Sequence, residues 1–424
     1  MVRIIEAESP GARDRIYPPL VTLELFVEQV IGADQACQDA VGRALSQRTA
    51  LGQPACSLNT GPYCKARRRL GVGALRRIAR EVAQRSEREV ARPWCFRGRS
   101  VKLLDGTTVS MPDTAAHQKA FPQNSEQKPG LGFPIARMVG LISLATGCVT
   151  QWRECACEGT GNGELPQFVG LLDSLVGTDL VVADRAYCSY FLLALLRQRG
   201  VDAVFREHQS RKTDLNQAQR LGRGDDLVTW PRPLVCPDWM DAASYQAMPA
   251  QLSVRLIQDG DYSIVTTITD PRRASRDDIL WLYRQRWHIE LDLRSIKSVM
   301  QMDILRCKTP EMVSKEIAAH LLGYNQIRSA MARAARANDL LPRALSFASA
   351  RCAFARHQER LRHRTGKVIH EIKDLLRAIA YSLLPHRPNR VGPRALKRRP
   401  RSFPLLMVPR PQARAHLLAA RKRA

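Results

Sequence analysis

The sequence predicts an α/β core flanked by helical regions, and three observations carry that prediction. Apolar residues keep helical spacing up to about residue 97 and again over 310–385, with no long alternating run in either stretch. Between them lie short segments of strand pattern separated by amphipathic helical runs. One such segment, Leu180-Val-Val-Ala-Asp184, is apolar without interruption up to its acid, as in a strand buried on both faces of a sheet.

Residues 1–97 form the first helical region. Thr22 is placed to cap a helix carrying Leu23, Phe26, Val27 and Val30, and Asp34 or Gln35 to open a second with Cys37, Val41 and Leu45. A turn-rich stretch over 52–60 precedes a helix at 63–70, and another amphipathic run ends near residue 90. Several short helices with the basic cluster Lys65, Arg67, Arg68 and Arg69 suit a region that binds DNA ends.

The core spans 98–305. Val101-Lys-Leu-Leu-Asp105 is a short strand ending in an acid, and 135–144 and 148–155 are two more strands joined across Ala-Thr-Gly. Glu164 opens a helix with Phe168, Leu171, Leu172 and Leu175 on its apolar side; Pro166 is tolerated in the first turn. After the strand ending at Asp184, a helix over 190–199 stops at Gly200 and leads into a fifth strand, 201–205. Three strands, helix, strand, helix, strand is the order of an RNase H-like α/β core. A β-rich insertion at about 206–260 is polar, then Pro-rich around Trp230-Pro-Arg-Pro, and strands at 252–257 and 262–268 return the chain to the core. Ser275 with Asp278 predicts a capping box for one long helix over 277–300. Residues 306–385 are a helical C-terminal region, in which 311–335 could mediate dimerisation or pack on the core. From 386 to 424 runs an Arg-rich tail without a single acid.

Charge narrows the function. The 424 residues hold 66 Lys and Arg against 40 Asp and Glu, a net charge of +26, which points to a polyanionic partner, with double-stranded DNA foremost. No apolar run approaches the roughly 18 residues of a membrane span, and the first residues lack the pattern of a signal peptide, so no membrane partner and a cytoplasmic, nucleoid-associated location are expected. The eleven cysteines include no CxxC pair, and all are read as reduced thiols.

On a helix over 277–300, Tyr283, Arg286, Glu290 and Lys297 fall within an arc of about 60°. An acid between bases and a phenol suits a site that holds a metal ion and phosphates together. Asp105 and Asp184 end two strands that neighbour each other in an RNase H-like sheet, and Glu290 on a following helix can reach the same edge. Three carboxylates are what a pair of Mg²⁺ ions requires.

Asp105-Gly-Thr-Thr-Val-Ser-Met-Pro-Asp113, Asp184-Arg-Ala-Tyr-Cys-Ser-Tyr190 and Tyr283-Arg-Gln-Arg286-Trp-His-Ile-Glu290-Leu-Asp-Leu-Arg-Ser-Ile-Lys297 resemble the three acidic motifs of the insertion-sequence-4 (IS4) family of DDE transposases. The last segment fits that family's Tyr, Arg, Glu and Lys spacing at every defined position. The resemblance implies an RNase H-like (retroviral integrase-like) catalytic core in which Asp105, Asp184 and Glu290 are catalytic and ligate Mg²⁺, with Mn²⁺ as a substitute. It also implies that Tyr283, Arg286 and Lys297 contact DNA phosphates near the cleaved bond, and that a homodimer forms in the synaptic complex. Arg185 and Thr107, beside the acids, are further candidates for orienting them or binding phosphate. Trp287 or Trp230 would either stack on a displaced base or fill the core. The activity implied is Mg²⁺-dependent cleavage at terminal inverted repeats followed by strand transfer. The competing readings are a DNA-binding repressor or domesticated protein without cleavage activity, and an RNase H-like nuclease.

Overall fold

A computed structural model describes residues 2–8, 16–211, 213–363, 368–385 and 406–421. Most of the basic tail, 386–405 and 422–424, lies outside the described residues; inside them, Arg410–Arg421 is a helix. No described helix is long and apolar enough to cross a membrane. All eleven cysteines are free thiols.

The centre is a sheet of nine strands: β1 (Ser100–Ser110), β2 (Ile135–Ser143), β3 (Val149–Ala156), β4 (Asp179–Ala183), β5 (Asp202–Arg206), β6 (Gln219–Gly222), β7 (Asp225–Pro231), β8 (Gln251–Asp259) and β9 (Tyr262–Thr266). Their order across the sheet is β3-β2-β1-β4-β5-β9-β8-β7-β6. The first three form an antiparallel meander, β4 and β5 run parallel to β1, and β9 joins β5 antiparallel. The five-strand half has the RNase H-like arrangement. The insertion extends this same sheet, since β9 bonds β5 on one side and β8 on the other. Arg255, fully buried on β8, forks onto Asp225 and donates to the Ala274 carbonyl at 2.7 Å, tying the insertion to the start of the next helix. A desolvated bidentate pair of this kind costs about 3–5 kcal/mol to break from one side.

Alternation divides the core. Val101 and Leu103 of β1 and Leu180 and Val182 of β4 face one cluster, together with Leu23, Phe26, Leu75, Ile289 and Leu321 from the helices. Leu104, Val181 and Ala183 face the other, with Phe168, Tyr187 and Leu192. The Pro310–Ala337 helix is buried along most of its length and packs on the Pro19–Ile31 and Val72–Arg88 helices, so of the two roles open to 311–335 the structure shows the core.

Several local expectations are corrected. Thr22 is not a cap: Pro19 opens the helix, and the Thr22 hydroxyl, inside it, donates to the Pro18 carbonyl at 2.8 Å. Asp34 forms a turn by accepting from the Ala36 amide, and Ala36 precedes the Cys37–Ala50 helix. The expected helix after Glu164 is only Glu164–Val169, followed by a 3₁₀ turn, Leu172–Ser174. Arg67 does not join Lys65, Arg68 and Arg69 on the surface. It is buried, stacked between Phe26 and Tyr63, and bonds Gln29 and Cys37.

Candidate active site

The site is built at the carboxyl end of β4. β1 pairs in parallel with β4 up to Leu103 and Val182. Two residues further along each chain, in the same register, stand Asp105 and Asp184. Both share the face of Leu103 and Val182, because side chains alternate with a period of two. Asp105 does not end its strand, as the sequence suggested. β1 runs on to Ser110 because β2 continues to pair with it, Asp105 lying opposite Gly140. Beyond Ala183 the chain turns instead: the Asp184 carboxylate accepts from the Ala186 amide at 2.9 Å and caps the 3₁₀ turn Arg185–Tyr187.

The third acid arrives on a helix that is not continuous. The capping box at Ser275 and Asp278 starts Arg276–Arg284, the chain tightens at Gln285 and Arg286, a second helix spans Trp287–Arg294, and a π-helical segment follows at Ser295–Val299. Such π segments recur at functional sites. The first break leaves Arg286 and Glu290 together, an ion pair at 2.9 Å, with Arg286 also 3.9 Å from Asp105. The π segment underwinds the chain before Lys297. Among the described residues Lys297 makes no ion pair with any of the acids.

Electrostatics confirm the crowding of charge. Burial, followed by the nearby Asp184 charge, pushes Asp105 up to about 6, against the opposing Gly106 amide and Arg286. Burial works against the Arg286 charge, but Tyr283, Glu290 and Asp105 together raise its pKa. Burial raises the Tyr283 phenol, and both Arg286 and Asp184 act on it, which puts Tyr283 beside the same group. Its ring leans on Tyr262, with centroids 6.2 Å apart.

Arg286 thus links Asp105 to Glu290, with Asp184 and Tyr283 near enough to act on the same charges, while Arg185 and Trp230 are engaged elsewhere. Arg185 is exposed and points to Gln209, donating at 2.7 Å. Trp230 is a core residue under the Arg211 guanidinium, whereas Trp287 is half exposed. Thr107 is partly buried on β1.

Sequence reasoning missed Glu164. It accepts a hydrogen bond from the buried Tyr187 hydroxyl at 3.2 Å and lies over Gly106, where a Cβ would meet its carboxylate at 2.2 Å. Its charge adds to those raising Asp105. A side chain at position 106 would push the Glu164 carboxylate aside, and that glycine beside Asp105 was the available signal.

All the donors are hard carboxylate oxygens, and Arg286 alone does not balance them, which suits Mg²⁺ or Mn²⁺. Among the described residues no three His, Cys, Asp or Glu side chains already converge as a metal cage.

Residues 96–326, more than half of the chain, match the family model described as Transposase DDE domain. The chain belongs to the DDE transposase family. This transposase is 28% identical over 347 residues to the transposase InsG for insertion sequence element IS4 of Escherichia coli (strain K12), covering 80% of this chain and 77% of that protein. The likeness places it with the IS4 family. Among solved structures it is similar to the piggyBac transposase in a cryo-EM synaptic complex with hairpin DNA, at a TM-score of 0.43 and 9% identity over 92% of this chain and 82% of that one. The family match contains both aspartates and the Tyr283 to Lys297 segment; the helices before residue 96 fall outside it.

Proposed function

We propose that this transposase cuts double-stranded DNA at the terminal repeats of its own element and joins the freed 3′ ends to a target, using Asp105, Asp184 and Glu290 to hold divalent metal. The observation that carries the reading is the register of β1 on β4, which sets two carboxylates side by side on the face from which Glu290 approaches. When bound, Mg²⁺ supplies a lowered pKa for the attacking water or 3′-hydroxyl and charge stabilisation for the leaving oxygen.

The chain's own groups do the rest. Arg286 is held between Asp105 and Glu290, charged and partly buried, and can exchange a carboxylate for a phosphate through a bidentate fork. The Tyr283 hydroxyl stays protonated and can donate beside it. Glu164, held by the Tyr187 hydroxyl, lies over Gly106 and adds negative charge near Asp105, which favours a cation there. Lys297 and the exposed Arg185 would reach only phosphates outside this group, as point charge and fork respectively. The net charge of +26 supplies sequence-independent attraction to the duplex.

The test is to incubate the protein with DNA carrying the ends that flank its gene, in Mg²⁺, in Mn²⁺ or in EDTA, beside Asp184→Asn and Glu290→Gln. Breaks at the element boundary that need metal and vanish in both variants are expected. A Glu290→Gln protein that still cuts would overturn the assignment. Metal should bind more weakly as pH falls through about 6, because the metal-free Asp105 carboxyl then holds its proton and must lose it to become a ligand.

A further inference from the structure

A second concentration of charge, positive this time, lies at the outer edge of the sheet. A cavity of about 490 Å³ opens between the Val72–Arg88 helix and β3, lined by Arg76, Arg80, Arg153, Glu154 and Asp173 among others; Asp173 pairs outward with Arg199. Arg76 and Arg80 are four residues apart and share one helix face, an arrangement of like charges that destabilises a helix unless something opposes it. Glu154 pairs with Arg76. Among the described residues Arg80 makes no ion pair, although the Glu154 charge acts on it; its guanidinium lies over the buried Trp152 ring, 5.5 Å from the centroid.

The hydrogen-bond inventory is lopsided in the same place. The Nε atoms of Arg76 and Arg80 and the indole nitrogen of Trp152 are buried without a partner, against one unpartnered oxygen on Glu154. These atoms are shielded from solvent, so an anion in the cavity would meet the outer guanidinium nitrogens; three arginines against Glu154 and Asp173 leave the lining with a surplus of positive charge that suits an oxyanion. Burial and then the neighbouring Arg76 lower the Arg80 pKa, which an anion in the cavity would reverse.

The position of the cavity says which anion. Asp105 is paired with Gly140, and Gly140 with Trp152, so the acid and the tryptophan under Arg80 stand in one row across three strands. Two strand spacings are about 10 Å, roughly three nucleotides of rise along one DNA strand. We propose that the Arg76–Arg80 cavity is a phosphodiester-binding site that grips the DNA strand a few nucleotides from the bond held at Asp105 and Asp184. The inference rests on the DNA-cleaving reading above for its second contact point, but the cavity can be tested without cleavage.

The full-length protein is titrated with random-sequence duplex DNA in EDTA over a range of salt concentrations, beside R80Q and R80K, with thermal melting as a check on folding. R80Q should bind about tenfold more weakly at 0.1 M salt, with the slope of log K against log salt shallower by about 0.9, one phosphate lost. R80K should keep most of that slope while melting like the wild type. Unchanged affinity and slope in a folded R80Q would overturn the proposal. So would a wild-type melting temperature that rises with inorganic phosphate, in an Arg80-dependent way, while the DNA slope stays unchanged, since the cavity would then hold a free anion. A protein that shows the Arg80-dependent slope yet never cuts element ends in Mg²⁺ would keep the cavity and remove the cleavage reading. One that cuts equally well with R80Q would do the reverse.

Discussion

Asp292 and Asp105 sit on opposite sides of the same charge balance. Asp292, two residues past Glu290 on the same helix, is wholly buried and receives Arg328, both bonds from Arg343 at 2.7 Å, and the Tyr324 hydroxyl at 3.0 Å. Arg343 also donates to the Ser143 and Leu144 carbonyls, so the cluster ties the Glu290 helix to the Pro310–Ala337 helix and to the end of β2. Two cations serve one carboxylate there. At Asp105 one cation, Arg286, serves Asp105 and Glu290, with Asp184 and Glu164 adding negative charge. The first cluster is complete without any ligand and fixes the helix; the second is short of positive charge and faces the end of the sheet. Structural and chemical carboxylates can be told apart by what is left unbalanced.

The sharpest way to break this contrast is to remove each acid and measure stability. Asp292→Ala strands two buried guanidinium groups and should cost about 3–5 kcal/mol in urea unfolding; a loss under 1 would mean the cluster is not a clamp. Divalent metal should act only on the other side. At a hundredfold excess over its Kd, Mg²⁺ should stabilise the wild type by about 2.7 kcal/mol, and Asp184→Asn by much less. Equal stabilisation of the two proteins would place the metal elsewhere.

Asp105→Asn should have the opposite sign from Asp292→Ala. The folded chain holds the Asp105 proton up to about pH 6, whereas an unfolded aspartate releases it near 3.8. Between those values the folded state binds more protons, so this group's contribution falls as pH rises and stays low above 6. The asparagine variant should therefore be more stable than wild type by about 1–2 kcal/mol at pH 7 and no more stable at pH 3. A variant less stable at pH 7 would show that Arg286 outweighs burial. The smallest effect is expected at Arg185, exposed and bonded to Gln209, where alanine should change stability by no more than about 0.5 kcal/mol.

Much of this was legible in order and kind. The uninterrupted run before Asp184 marked a central strand, Gly200 ended its helix with a positive φ, and Ser275 with Asp278 made the expected capping box. These are local effects, decided within a few residues. Arg67 was misread because nothing in a run of basic residues tells which one stacks on Phe26. The π segment at Ser295–Val299, which contains Lys297, was not foreseen because spacing arguments assume an unbroken helix; Ile296 and Met300 at its ends are buried in the core. Glu164 went unnoticed because its meeting with Gly106 joins residues far apart in the chain.

The sequence by itself determined the order of strands and helices, the three acidic motifs and the surplus of positive charge, because hydrophobic period, capping and composition act over short spans of chain. Only the tertiary structure decided which charges are balanced. Whether a carboxylate is a clamp, a candidate metal ligand or a surface ion depends on how many guanidinium groups reach it and how much water is excluded, and both are set by packing between distant segments.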